Sequence, residues 1–134
     1  MSSVHRNERD DSDMQFVQTA RDLQIYVLKT VRHFPKSYTF YLGLPLAESA
    51  RKIHSCVKRA NSINPTNQHE AQMRIDQLLY ARAEIHNMIA QVEVAAEVMT
   101  EKFNKKEWMS YLYAEIPLVN GVIKSDRARY RRLP

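Results

Sequence analysis

With 134 residues, 44% of them hydrophobic, the chain has material for one domain around one core and too little for two. Two glycines, a 26% share of charged residues and an abundance of Ala, Leu, Arg, Glu, Gln and Met favour helix over sheet. A net charge of +5 suits a polyanionic partner without requiring one, a single cysteine excludes an intrachain disulfide, and no apolar run is long enough to span a membrane.

The opening "MSSVHRNERDDSD" mixes charges with almost nothing apolar, which predicts a flexible tail over residues 1–12. It does not resemble a secretory leader, so a cytoplasmic protein is expected. Ser12 and Gln15 have capping-box spacing, and the first helix is expected to open there. Its stripe is Phe16, Ala20, Leu23, Val27, Thr30 and Phe34, and Pro35 should end it near His33. A second stripe, Leu42, Leu46, Ala50, Ile53, Val57 and Ala60, predicts a helix over residues 38–61 in which Pro45 sits in the first turn or at a kink. Tyr38, Phe40 and Leu42 are expected to pack the start of that helix.

"NSINPTN" breaks the chain, and Asn67 followed by Glu70 caps a third helix over residues 68–100. Ile75, Leu78, Ile85, Ile89, Val92, Ala96 and Met99 form its stripe, widened by Leu79, Ala83, Met88, Ala90, Val94 and Val98. A helix apolar around so much of its girth is central or meets another subunit. Asn104 and Glu107 repeat the cap spacing before a fourth helix carrying Trp108, Leu112, Ile116, Val119 and Ile123, with Pro117 inside it. The expected architecture is an all-α, antiparallel up-down-up-down four-helix bundle over residues 13–124, followed by a basic tail over residues 125–134.

The stretch "FPKSYTFYLGLPLAESARKIHSCVKRAN" resembles the first helical hairpin of a four-helix-bundle family. That family includes the accessory variability determinant of diversity-generating retroelements and proteins encoded in ribosomal-RNA intervening sequences. The resemblance rests on the Phe34-Pro35-Lys36 corner and on Phe40, Leu42 and Gly43 at the head of the second helix. "RIDQLLYARAEIHNMIAQVEVAAEVMTEKFNKKEWMSYLYAEI" is similar to the family's third helix and the beginning of its fourth. The chain departs from the pattern at Pro117, where relatives carry Gly, and at "NGVIKSD", where they often end in Gly-Gly-Trp. The resemblance implies a homopentameric, barrel-like ring with a basic surface, binding nucleic acid and a reverse transcriptase.

Charge is segregated along the chain. Residues 36–59 hold five basic residues and one acid, residues 70–101 hold two and six, and residues 126–134 hold four arginines and one acid. Arg51 and Lys58, like Lys52 and Arg59, stand seven apart, so all four face away from the Ala50, Ile53 and Val57 stripe. With Lys36 and the tail arginines Arg127, Arg129, Arg131 and Arg132 around Tyr130, they are the candidate contacts to RNA or DNA. The competing reading is a solvated face paired with the acidic third helix, and a merely soluble tail.

Ferritin-like di-iron bundles need Glu-x-x-His pairs, and no Glu here has His three residues later. His54 and Cys56, two apart on a helix, diverge too far to share a metal. No glycine loop for phosphate is present. The expectation is a non-enzymatic protein with no metal and no cofactor. Ile25, Leu28, Tyr111 and Tyr113 are the candidate oligomer-interface residues, and an interaction module that touches no nucleic acid is the alternative function.

Overall fold

Residues 2–100 and 103–134 are described in a computed structural model, with side chains over residues 14–100 and 103–134. Four long helices follow from the four apolar stripes: α1 (Ser2–Val31), α2 (Leu44–Ser62), α3 (Gln68–Met99) and α4 (Lys105–Arg129). Among the described residues there is no strand, and no helix is long and apolar enough to cross a membrane. Helix α1 begins ahead of Ser12, so the Ser12 cap is not used. The expected N-terminal tail lies outside the described side chains.

Each helix packs on two others in a closed circuit, α1 on α2, α2 on α3, α3 on α4 and α4 on α1, which makes a four-helix bundle. Phe16, Ala20, Leu23 and Val27 from α1 meet Ala50, Ile53 and Val57 from α2, Leu78, Ile85 and Val92 from α3, and Leu112 and Val119 from α4 in one fully buried core. Asn67 and Asn104 cap α3 and α4 as their spacing predicts, accepting from the backbone N–H of Glu70 and Glu107.

Between α1 and α2 the chain turns at Pro35, forms a helical turn (Lys36–Tyr38) and then a π-helical segment (Thr39–Gly43) that runs into α2. Pro45 occupies the first turn of α2, directly after the π-helical segment, so its missing N–H falls where the helix changes from π to α. Gly43 is buried against α1, and a Cβ there would lie 3.4 Å from the Phe34 ring and 3.5 Å from Val31, ordinary contact distances, so the corner has room for an alanine. Phe34 in turn joins Phe103 and Trp108, and Tyr26 stacks on Tyr111 with ring centres 4.4 Å apart. Burial and the Glu107 carboxylate push the Tyr26 phenol up to about 12.

One expectation at this corner fails. Tyr38 and Leu42 do pack on the core, but Phe40 is 70% exposed. The π-helical segment places an extra residue in the turn, so a stripe extrapolated backward from α2 loses its phase there.

At the opposite end, α4 runs five residues past the expected boundary at 124, to Arg129, and Asp126 is buried. The segment 125–134 is therefore not a separate tail. The Gln68 side-chain amide donates to the carbonyls of Tyr130, Arg131 and Leu133, and the Gln68 N–H donates to Pro134, so the segment folds back onto the head of α3. Those bonds satisfy one of the donors that a helix N-terminus leaves open.

Candidate nucleic-acid interface

Helices α2 and α3 are joined by a short link, and the polar side chains on their outer flanks interlock across a groove. Arg59 Nε donates to Gln77 Oε1 at 3.1 Å, and Gln91 Nε2 donates to Ser49 Oγ at 2.7 Å. Between these ties lies a groove of about 470 Å³ lined by Arg51, Lys52 and Arg59 from α2 and by Gln77, Tyr80 and Glu84 from α3. Ser55 and Cys56 form its floor, and Arg59 Nη2 sits 3.6 Å from Cys56 Sγ. Tyr80 is 63% exposed, so an aromatic face stands open beside three cations.

The cations are not equally available. Arg51 makes a two-point pair with Glu48 at 3.1 and 2.5 Å, which holds the Glu48 carboxyl below its ordinary range. That pair is exposed and screened by solvent, so an incoming phosphate can displace it. Lys52 carries no ion pair among the described residues, and Arg59 is held by neutral partners. Glu84 faces the groove but also accepts from the Asn87 amide.

The predicted four-cation band divides. Arg51, Lys52 and Arg59 line the α2–α3 groove, whereas Lys58 faces α1 with His54 and Arg21. Burial first, then the charges of Lys58 and Arg21, hold the His54 imidazole below its ordinary value, and its Nδ1 lies 2.7 Å from Gln24 Oε1. Lys36 stands exposed at the far end, before α2 begins, and is not part of the groove. Arg127, Arg131 and Arg132 are exposed, while Arg129 lies over the Tyr130 ring at 5.7 Å and reaches Ser125.

Of the interface candidates, Leu28 and Tyr113 are about half exposed and Ile25 is partly buried. Tyr111 is engaged within the chain by its stack on Tyr26. Sequence reasoning missed Gln77, Tyr80 and Glu84. Their spacing of three and four residues puts them on one face of α3, but only the cross-helix register reveals that this face meets the basic flank of α2.

The same inter-helix groove continues toward the corner as an apolar hollow of about 270 Å³, lined by Tyr41, Pro45, Ala90 and Val94. Phe40, Leu44 and Val98, close to these lining residues in sequence, are exposed. Among the described residues no three His, Cys, Asp or Glu side chains converge as a metal site. No family model, curated protein or solved structure matches the chain.

Proposed function

We propose that the protein binds single-stranded RNA or DNA, without catalysing a reaction on it, through the groove between α2 and α3. The observation that carries this reading is the meeting of Arg51, Lys52 and Arg59 with the open ring of Tyr80 in one groove. Cations along a groove follow a phosphate backbone, and an exposed aromatic gives an unpaired base something to stack on. Duplex binding would use the cations and leave Tyr80 idle. Cross-helix contacts such as Arg59–Gln77 with Ser49–Gln91, and Arg82–Asn120 with Gln68–Leu133, support an up-down-up-down antiparallel order for the bundle. A retroelement setting, with a reverse transcriptase partner, a homopentameric ring and a cytoplasmic location, is supported by the resemblance of residues 34–61.

The test is fluorescence anisotropy with labelled single-stranded oligonucleotides over a series of salt concentrations. Lys52→Glu with Arg59→Glu should abolish binding at moderate salt. Tyr80→Ala should weaken it by about 1–3 kcal/mol for one stacked base. With three phosphates neutralised, log affinity should fall with log salt at a slope of about −2 on a single strand. Absence of binding at low salt, or binding indifferent to all three substitutions, sinks the proposal. An interaction module is the second reading, and the observation favouring it is the exposed Tyr41 and Val94 that line the apolar hollow, with the exposed Phe40 ring against Tyr41.

A further inference from the structure

The two walls of the α2–α3 groove differ in chemistry. Arg51, Lys52 and Arg59 stand on the α2 wall, whereas Gln77, Tyr80 and Glu84 stand on the α3 wall, in steps of three and four along one helix face. A strand laid in the groove keeps its phosphates on α2, away from the Glu84 charge, and turns its bases toward α3. Choice among bases then falls to the α3 side chains.

A solvated acid that only offset nearby cations would pair with one of them. Glu84 lines the same groove as Arg51, Lys52 and Arg59, yet among the described residues it makes an ion pair with none of them. Asn87 donates from Nδ2 to Glu84 Oε1 at 3.1 Å, which steadies the carboxylate and leaves Oε2 and further lone pairs open. Gln77 Oε1 is already taken by Arg59. Glu84, one helical turn from Tyr80, is thus the open acceptor beside a base stacked on that ring.

The bases differ in what they bring to a carboxylate. Guanine carries N1–H and the N2 amino group side by side on its Watson–Crick edge, two donors for two acceptor oxygens. Adenine and cytosine each place a ring-nitrogen acceptor beside their one amino group, and uracil and thymine set a carbonyl oxygen on each side of N3–H. Those acceptors meet a carboxylate as like against like.

We propose that the α3 wall selects guanine in single strands, with the Tyr80 ring stacked on the base and the Glu84 carboxylate accepting from N1–H and the N2 amino group. The assignment rests on the groove being a single-strand site and adds the base it prefers.

Competition anisotropy at one low salt concentration tests it, using short deoxythymidine strands that carry one central guanine, adenine, cytosine or hypoxanthine. The guanine strand should bind about ten- to a hundredfold more tightly than the adenine and cytosine strands, the range of one two-point base contact. Hypoxanthine, which keeps N1–H and lacks the amino group, should fall between. Glu84→Gln preserves the size of the side chain, and circular dichroism checks its fold. It should bind an all-thymine strand at least as tightly as the wild type does while losing the guanine preference. A wild type that ranks guanine level with the other bases, or a Glu84→Gln variant in which every strand gains equally and the base order is unchanged, overturns the proposal. Either result leaves the groove as a single-strand site without base choice. Failure of every strand to bind at low salt overturns the groove reading and this assignment together.

Discussion

Replacing Glu115 with methionine should raise the unfolding free energy by about 3 kcal/mol at pH 7 and flatten the dependence of stability on pH. Glu115 lies between Leu112 and Val119 on the buried stripe of α4, is fully buried, and neither carboxyl oxygen has a hydrogen-bond partner among the described residues. Desolvation pushes its pKa from the ordinary 4.5 to about 9. The folded protein therefore holds this proton where the unfolded chain has released it. Stability is fully present below the unfolded value of 4.5 and falls by about 1.4 kcal/mol per pH unit until the folded value near 9 is passed. Methionine has a similar length, suits a helix and brings no polar atom. Glutamine also removes the titration but leaves an unpaired amide, so Glu115→Gln should show the flat profile with a smaller gain. Urea denaturation between pH 5 and pH 9 decides the matter. A wild type whose stability is level across that range, or rises, would show that the carboxyl is solvated or paired.

A loss of about 3–5 kcal/mol is expected from Arg74→Ala. Arg74 and Asp126 are both almost wholly buried and meet at 2.5 Å, Nε to Oδ2. The same guanidinium donates from Nη1 to the carbonyl of Ala60 at 2.9 Å and to that of Ile63 at 3.4 Å. One side chain thus links the end of α2, the connection to α3, and α4. Its removal takes the charge-assisted bond from the buried Asp126 carboxylate and the guanidinium donor from the Ala60 and Ile63 carbonyls, which is worse than removing both charges. Arg74→Met with Asp126→Leu should accordingly recover most of the loss, and a double-mutant cycle by urea denaturation measures the coupling. A single-variant loss below about 1 kcal/mol would mean that water reaches this pair.

These two predictions rest on residues whose burial the sequence conceals. The core was legible where apolar side chains keep helical spacing: Phe16, Ala20, Leu23 and Val27, or Leu46, Ala50, Ile53 and Val57, are buried as their stripes require. The Asn67 and Asn104 caps were legible because a short side chain and the N–H three residues on are coupled locally. Arg74 and Asp126 stand 52 positions apart, so each reads as an ordinary surface charge until the helices are packed. Glu115 has no partner among the described residues for a pattern to reveal. The groove was half legible for the same reason: Arg51, Lys52 and Arg59 share one helix, whereas Tyr80 enters through tertiary register.

The five-residue π-helical segment at Thr39–Gly43 matters because of arithmetic. Each α-helical residue turns the chain by about 100°, and a π turn absorbs one residue more than its neighbours. The outward aim of Phe40 and Tyr41 is therefore set by a count rather than by their identity. Substitution can change what the corner displays, but only the gain or loss of a codon would swing it inward. Among relatives of this chain, length at residues 39–43 should track the presence of the exposed aromatic surface more closely than sequence does.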